Sequence, residues 1–183
     1  GVDMTSSRAQ VEQEPMLEVA TVLLPGGELS IIVDPVDGAV IASGFAPVSV
    51  ILELLPEDER ARGHRQVEES TTMTRVLQAC DAYRAGDLGA LDVVLVRQPG
   101  GPFIAKARDE LRTIPAGEVD TYAGLAARAG RPAAVRAAGQ ACATNRVAPF
   151  VPCHRIVRTD GSLGGYAYGL EVKSALLQHE GAR

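Results

Sequence analysis

Residues 120–145 read DTYAGLAARAGRPAAVRAAGQACATN and hold two short helical segments with a break between them. Asp120 or Thr121 is placed to cap the first helix. That helix ends at Gly130-Arg131-Pro132, where the proline suits the first turn of the next helix. The second helix is predicted from Ala133 to about Ala143. Two short helices joined by a tight glycine-containing turn predict a helix-turn-helix.

The second helix of this pair carries one long side chain among small ones. Its first turn presents Ala134, Val135, Arg136 and Ala137. Small side chains let a helix lie close in a groove, from which a single arginine can reach out. Taken alone, such a helix pair is more often plain packing than a DNA-binding element, so other features of the sequence must decide.

Charge is distributed unevenly along the chain. The net charge of −5 over 183 residues counts against nucleic-acid binding. Residues 1–95 carry 6 Arg against 16 Asp and Glu, or −10, whereas residues 96–183 carry 12 Lys and Arg against 7 acids, or +5. Seven arginines surround the predicted helix pair: Arg112, Arg128, Arg131, Arg136, Arg146, Arg155 and Arg158. A solvated basic face is the plain alternative, but the position of these arginines favours a DNA interface.

The first half of the chain predicts a small sheet with a helix. Leu29, Ile31 and Val33 alternate, a second β-branched run follows at residues 39–41, and the turn at 34–38 joins the two as a β-hairpin. The remaining predicted elements are a short helix at 48–55, a polar connector at 57–69, a helix at 71–85 and a strand at 91–96. In the helix at 71–85, Cys80 shares a face with apolar residues and is expected in the core.

The breaker Gln98-Pro99-Gly100-Gly101-Pro102 marks the predicted domain boundary. We predict an α+β protein. A tail at 1–15, whose three residues before Met4 are expected to be left over from cloning, precedes an N-terminal α/β domain at 16–98. A mainly helical domain at 102–183 follows and carries a helix-turn-helix of winged-helix type.

Composition and cysteine content predict a soluble cytoplasmic protein. With 46% hydrophobic and 22% charged residues, the chain is neither disordered nor membrane-spanning. Residues 1–15 have no apolar core or cleavage site of a signal peptide. Three cysteines cannot all pair and none has C-x-x-C spacing, so we expect a reducing compartment and no metal site.

Cys153 and His154 place a thiol next to an imidazole. A thiol with a pKa of about 8.5 is only slightly ionised at neutral pH, and a neighbouring base raises the thiolate fraction. Such a pair by itself is usually accidental, but here it belongs to a longer ordered pattern. The pattern comprises Ile114-Pro115-Ala116-Gly117-Glu118, Thr121-Tyr122, Arg136-Ala137-Ala138-Gly139, Asn145, Pro152-Cys153-His154-Arg155, Gly161, Gly164-Gly165-Tyr166, Gly169-Leu170, Lys173, Leu176-Leu177 and Glu180.

This pattern resembles the O6-alkylguanine-DNA alkyltransferases, also called methylated-DNA–protein-cysteine methyltransferases. The resemblance runs from Ile114 to Gly181, whereas residues 16–100 are similar to that family only in general shape. It implies direct-reversal DNA repair, in which the alkyl group of O6-alkylguanine, chiefly methyl, moves irreversibly to the protein's own cysteine. Each molecule then acts once, as a monomer and without a cofactor.

The resemblance implies a role for each catalytic residue. Cys153 is the acceptor, His154 takes the thiol proton through a water molecule, and Glu180 orients the imidazole. Tyr122 hydrogen-bonds the flipped guanine and helps to turn its phosphate. Asn145 lies in the turn that joins the recognition helix to the active-site segment and is expected to bond the backbone.

The partner implied is double-stranded DNA, bound through its minor groove with the alkylated guanine flipped out. Arg136 is the finger that enters the base stack, and Ala134, Val135 and Ala137 allow the close approach. The pocket for the guanine is implied to involve Gly164, Gly165, Tyr166, Tyr168 and Lys173. Lys173 could equally be a solvated helix charge.

The chain departs from the family pattern at two places. Ala107-Arg108 stands where the family commonly has Val-Trp, which bears on the packing between the two halves. Tyr168 stands where a small glycine is common, so its ring either narrows the alkyl channel or points to solvent. The N-terminal cysteine and histidine set that holds zinc in some relatives is absent, so no metal is predicted.

Two other classes of function remain open at this point. One is a damage sensor or helix-turn-helix regulator that binds alkylguanine without transfer. Sensors of that kind replace the acceptor cysteine, so the presence of Cys153 favours transfer. The other is a cysteine hydrolase, which requires an oxyanion site that the sequence does not reveal.

Overall fold

A computed structural model describes residues 14–183, so most of the predicted tail at 1–15 lies outside the described residues. The N-terminal half, taken as residues 14–98, holds a four-stranded sheet in the order β3-β2-β1-β4. Its strands are β1 (Leu17–Leu24), β2 (Gly27–Asp34), β3 (Ala39–Gly44) and β4 (His64–Gln66). β2 is antiparallel to β1 and β3, which confirms the predicted hairpin, and β4 runs parallel to β1.

Both faces of this sheet are covered, so β2 is buried on both sides. Leu29 and Ile31 belong to the main core with Val76 of α3 (Thr71–Arg84). Ile32 faces the other way and packs in a second cluster with Ile51 of α1 (Val48–Leu52). Successive residues of β2 therefore pack alternately against α3 and α1. Both sets are buried, so the alternation does not separate buried residues from exposed ones.

Three predicted elements of this half differ from the structure. The helix predicted at 48–55 ends at Leu52. The predicted polar connector at 57–69 contains α2 (Glu57–Arg60) and the exposed strand β4. The prediction of a strand at 91–96 is wrong, because the chain forms a 3-10 turn at Ala90–Val93 and only Val96 bridges to β3. The turn buries Leu91 and leaves Val93 83% exposed. In a strand these two residues would point to the same face of the sheet.

The C-terminal half, taken as residues 102–183, is mainly helical. Its helices are α4 (Pro102–Leu111), α5 (Tyr122–Arg128), α6 (Val135–Ala143) and α7 (Leu170–His179). Two short strands, β5 (Asp120–Thr121) and β6 (Ile156–Val157), pair in parallel. The mixed α+β architecture predicted from the sequence is confirmed.

The helix pair α5 and α6 forms as predicted, with small differences at the ends. The Thr121 side chain accepts from Gly124 N at 3.0 Å, so Thr121 is the cap of α5. Gly130 turns the chain with φ +88°, a conformation that favours glycine. α6 begins at Val135, two residues later than predicted, because Ala134 has non-helical angles and precedes the helix.

One hydrophobic core joins the two halves, and the buried Arg108 borders it. The core includes Ile31 of the sheet, Leu125 of α5 and Leu176 of α7. Arg108 is 6% exposed, and its guanidinium donates to Pro99 O at 2.7 Å, to Thr144 Oγ1 at 2.8 Å and to Ala141 O at 3.3 Å. The buried cation therefore ties the segment before α4 to the end of α6.

Within residues 14–183, no helix combines the length and the apolar character needed to cross a membrane. The same residues contain no group of three or more His, Cys, Asp and Glu side chains arranged to hold a metal ion.

Candidate active site

The pairing of β5 with β6 brings the start of the helix pair to the predicted nucleophile. Thr121 is opposite Val157, so Tyr122 at the start of α5 lies near the 3-10 turn Cys153–Arg155 that precedes β6. A cavity of about 200 Å³ opens between these elements. Its lining comprises Tyr122, Gly139, Cys142, Ala143, Asn145, Ala148, Cys153, Gly165, Tyr166, Ala167 and Tyr168.

Cys153 is buried, and Asn145 donates a hydrogen bond to its sulfur. Cys153 is 8% exposed, and Asn145 Nδ2 lies 3.3 Å from Cys153 Sγ. Burial raises the pKa of the Cys153 thiol, while the Asn145 hydrogen bond and the positive charge of Lys173 oppose that rise. Asn145 also donates to Val151 O at 2.9 Å, so it bonds the backbone as predicted and contacts the nucleophile as well.

His154 and Glu180 form a buried pair behind Cys153. His154 Nε2 lies 2.8 Å from Glu180 Oε2, and both side chains are at most 1% exposed. The other ring nitrogen, Nδ1, is buried and has no hydrogen-bond partner among the described residues. Because Glu180 engages Nε2, Nδ1 is the nitrogen left to exchange a proton.

Arg155 and Tyr83 complete the surroundings of Glu180. Arg155 Nε donates to Glu180 Oε1 at 2.8 Å, and the Tyr83 hydroxyl donates to Glu180 Oε2 at 2.7 Å. Burial disfavours the charged carboxylate, but the hydrogen bonds and charges of His154 and Arg155 prevail and lower the pKa of Glu180 to about 2. Arg155 also donates to Asp92 Oδ2 at 2.9 Å. Two residues of the N-terminal half, Tyr83 and Asp92, therefore join this network.

Tyr122 forms one side of the cavity, between two glycines. The ideal Cβ position of Gly164 is 3.2 Å from the Tyr122 hydroxyl, and that of Gly139 is 4.0 Å from its ring. Gly164 also has φ +73°, so a side chain there would be strained as well as crowded. Burial raises the pKa of the Tyr122 hydroxyl, which keeps it a hydrogen-bond donor.

Tyr166 and Tyr168 form the opposite wall. Their rings meet edge to face with centroids 5.9 Å apart. Tyr168 lines the cavity and also reaches β3, since its ring packs on Phe45 at 6.1 Å and its hydroxyl lies 3.4 Å from Ser43 O. A Cβ at Gly44 would overlap the Tyr168 hydroxyl. Of the two orientations open for Tyr168, the structure shows the inward one.

Lys173 lies behind this wall, which corrects its predicted place in the guanine pocket. It is completely buried, and its ammonium donates to Ile156 O at 2.7 Å and to Gly165 O at 3.1 Å. It is therefore neither a cavity-lining group nor a solvated helix charge. Its bonds fix the loop that carries Gly165 and Tyr166 against β6.

The predicted DNA-contacting turn lies at the surface. Val135 and Arg136 are exposed, and Ala134 and Ala137 are half-buried, while Ala138 turns toward the core. The seven arginines of the basic segment do not form one solvated face. Arg112, Arg128 and Arg155 donate hydrogen bonds to groups of the protein itself, and Arg146 forms an ion pair with Glu59 at 3.8 Å. Arg131, Arg136 and Arg158 are exposed, as is Arg128.

The other two cysteines differ from Cys153 in their surroundings. Cys80 is in the core as predicted, and burial raises the pKa of its thiol to about 12. Cys142 lines the same cavity as Cys153, and burial strongly raises the pKa of its thiol as well. A larger cavity of about 370 Å³ lies against α3 and is lined by none of the predicted site residues.

Three residues that contact this site are not marked by the sequence. Tyr83 lies in the helix predicted at 71–85, Asp92 in the strand predicted at 91–96, and Gln98, which donates to Asn145 Oδ1 at 3.0 Å, in the predicted breaker. Each is distant along the chain from its partner in the site, and no local motif marks such a contact. Arg155 was part of the recognised pattern, but no role followed from the pattern alone.

Comparison with known proteins identifies the family. Residues 102–182 match the 6-O-methylguanine DNA methyltransferase, DNA binding domain family. A methylated-DNA–protein-cysteine methyltransferase of Salmonella typhimurium is 44% identical over 99 residues, which span 54% of this chain and 58% of that protein. The protein of the same name from Shigella flexneri is 37% identical over 131 residues, or 72% of this chain and 76% of that one. The crystal structure of Mycobacterium tuberculosis OGT in complex with DNA superposes with a TM-score of 0.70 at 28% identity, covering 90% of this chain and 93% of that chain. The chain belongs to the methylated-DNA–protein-cysteine methyltransferase family.

Proposed function

We propose that this protein repairs O6-alkylguanine in DNA by moving the alkyl group, chiefly methyl, to Cys153. The observation that carries the proposal is the meeting of a buried thiol, its amide donor Asn145 and the tyrosines of a small cavity, beside the His154–Glu180 pair. In the reaction, the sulfur forms a bond to the alkyl carbon while the bond from that carbon to O6 breaks. The thioether product is stable, so each molecule reacts once.

The orientation of the His154 imidazole determines which of its nitrogens accepts the Cys153 thiol proton. His154 Nδ1 takes the thiol proton through a water molecule, since Nε2 is held by Glu180. The charge of Glu180 stabilises the imidazolium that forms. Tyr122 donates a hydrogen bond to the guanine as negative charge builds on the base. A proton from solvent neutralises the base, which stays in the DNA strand, and the imidazolium returns the thiol proton to solvent. The sum of the steps converts a thiol and an O6-alkylguanine into a thioether and a guanine.

DNA recognition is assigned to the exposed first turn of α6. Arg136 enters the base stack in place of the flipped nucleotide, and Ala134, Val135 and Ala137 allow the minor groove to approach. Tyr122 turns the phosphate of that nucleotide. Gly165, Tyr166 and Tyr168 receive the flipped base, because they line the cavity that holds Cys153. Gly164 contributes by leaving room for Tyr122.

The remaining parts of the proposal concern organisation. We assign an N-terminal α/β domain to residues 16–98 and an alkyltransferase domain with a winged-helix type of helix-turn-helix to residues 102–183. A monomer in a reducing cytoplasm suits a protein whose cysteines Cys80, Cys142 and Cys153 are all free thiols. The proposed reaction requires neither a metal nor a cofactor.

Intact-mass measurement after incubation with excess O6-methylguanine duplex tests the proposal. Transfer predicts that the protein gains one methyl group, that the gain stops at one per molecule, and that Cys153→Ser gains none while still binding DNA. A protein that binds the duplex and keeps its original mass is a damage sensor or regulator. Release of methanol with an unmodified protein would instead indicate a hydrolase.

A further inference from the structure

Gln98, the last residue of the N-terminal half, contacts the turn that precedes the active site. Its side-chain Nε2 donates to Asn145 Oδ1 at 3.0 Å, and its Oε1 accepts from Arg146 N at 3.0 Å. The two bonds use both ends of the Gln98 amide. They determine which end of that amide faces Asn145, because the Arg146 N–H can only donate.

The orientation of the Asn145 amide follows from these bonds. Its Oδ1 accepts from Gln98 Nε2 and from Val147 N at 3.3 Å. Its Nδ2 donates to Val151 O at 2.9 Å and to Cys153 Sγ at 3.3 Å. Reversing the amide would set its NH₂ group against two donors and its oxygen against Val151 O. The observed orientation is therefore the one that points an N–H at the sulfur.

The segment that carries Gln98 is held in place by Arg108. The Arg108 guanidinium bonds Pro99 O, next to Gln98, and Thr144 Oγ1, next to Asn145. On the other side, Arg97 N donates to Val40 O at 3.0 Å. Gln98 is thus fixed from both neighbours, and the Gln98–Asn145 distance does not depend on one hydrogen bond alone.

The N–H that Asn145 directs at the Cys153 sulfur matters because few other groups nearby stabilise the thiolate against the effect of burial. Asn145 is the side chain that hydrogen-bonds this sulfur among the described residues, and a hydrogen bond to the charged form lowers a pKa. Lys173 and Arg108 act as cations at longer range. The other titratable side chains that line the cavity are Cys142, Tyr122, Tyr166 and Tyr168, which are neutral at pH 7. His154 adjoins Cys153 in the chain.

We propose that Gln98 is a positioning residue for the transfer reaction, because it holds the Asn145 amide in the orientation that donates to Cys153 and so favours the thiolate. The inference rests on the proposed function for its biological meaning. Its physical content, the ionisation of Cys153, is independent of DNA. It adds a residue of the N-terminal half to the groups that position the nucleophile.

The rate of Cys153 alkylation by iodoacetamide, measured from pH 6 to 10 by peptide mass, tests the inference without DNA. Gln98→Met keeps the length of the side chain and removes both hydrogen bonds. We expect the apparent pKa of Cys153 to rise by about one pH unit, so that alkylation is about tenfold slower at each pH below the pKa. Gln66→Met, on the exposed strand β4, is the matched control and should leave the profile unchanged.

Two further variants keep the test decisive. Gln98→Glu retains the bond from Arg146 N but cannot donate to Asn145, so it should also raise the pKa. In an Asn145→Ala background, Gln98→Met should cause no additional rise, because Gln98 acts through Asn145. An alkylation rate that is unchanged in both Gln98 variants, or a slowing by Gln98→Met that persists in the Asn145→Ala background, would overturn the inference.

Transfer from O6-methylguanine duplex, measured on the same variants, separates this inference from the proposed function. If the wild-type protein transfers no methyl group but its Cys153 pKa still depends on Gln98, the positioning role stands and the repair function fails. If transfer occurs and the pKa does not depend on Gln98, the repair function stands and the positioning role fails.

Discussion

The Tyr83 hydroxyl donates to Glu180 Oε2 at 2.7 Å, the same oxygen that lies 2.8 Å from His154 Nε2. Tyr83 belongs to α3 of the N-terminal half, whereas Glu180 follows α7 at the other end of the chain. The carboxylate that orients the proposed base is thus held from both halves of the protein. This contact gives the N-terminal half a direct connection to the proposed chemistry.

Tyr83→Phe should weaken both the fold and the reaction. It removes a buried hydrogen bond to a carboxylate without leaving a cavity, which we expect to cost about 1 to 2 kcal/mol of the free energy of unfolding. The transfer rate should fall severalfold and not be abolished, because Glu180 keeps His154 and Arg155 as partners. Urea unfolding and single-turnover transfer measure the two effects. If neither quantity changes, Tyr83 does not support Glu180.

Glu180 should make the stability of the protein fall in acid. Its ordinary pKa of 4.5 is lowered to about 2 in the fold. A lowered pKa stabilises the fold above the unfolded value and loses that effect as the pH falls through the folded one. Between pH 4.5 and 2 the loss should reach about 3 kcal/mol.

The comparison with Glu180→Gln isolates this contribution from that of Asp34, whose pKa is also lowered to about 2, chiefly by the Arg62 hydrogen bond. Urea unfolding at a series of pH values should show the wild type to be more stable at neutral pH. The difference between the two proteins should shrink toward pH 2. A difference that is constant from pH 7 to pH 2 would contradict the assignment.

Arg136→Ala should reduce repair of duplex DNA more than repair of single strands. Flipping a base out of a duplex costs a few kcal/mol, and less from a single strand, so a loss on the order of tenfold is expected on duplex alone. Arg131→Ala is the matched control, because Arg131 is also exposed and lies in the turn before α6. Equal losses on both substrates would mean that Arg136 only attracts phosphate.

Tyr168→Gly should admit larger adducts. The ring lines the cavity and is held there by Phe45 and Tyr166. Its removal should raise the rate with O6-benzylguanine relative to O6-methylguanine. Tyr168→Phe, which keeps the ring and loses only the contact to Ser43 O, should leave that ratio near the wild-type value. A ratio that is the same in all three proteins would show that other parts of the wall limit adduct size.

The sequence predicted the parts of the site that belong to one ordered pattern. The resemblance to the family marks Tyr122, Asn145 and Cys153, which line one cavity, and it implies the pairing of His154 with Glu180 that the structure shows. Tyr83 and Gln98 escaped prediction because their partners lie 97 and 47 residues away, and a single sequence carries no signal of such contacts.

The errors have similar physical causes. Leu91 and Val96 have the residue types of a strand, but Asp92 between them bonds Arg155 and the chain turns to let it do so. Lys173 is predicted in the guanine pocket, with a solvated helix charge as the alternative, yet two carbonyl oxygens satisfy its ammonium in the interior. In both cases a polar contact formed by the fold outweighs the local preference.

The central claim is that the alkyl group moves to Cys153, and peptide mapping after reaction with O6-methylguanine duplex tests it most directly. Cys142 lines the same cavity and provides an internal comparison, because Asn145 donates its hydrogen bond to the sulfur of Cys153. We expect one methyl group on the peptide that contains Cys153, none on those that contain Cys80 or Cys142, and unchanged transfer in Cys80→Ser. Methyl on Cys142 or Cys80, or methyl transfer that persists in Cys153→Ser, would contradict it.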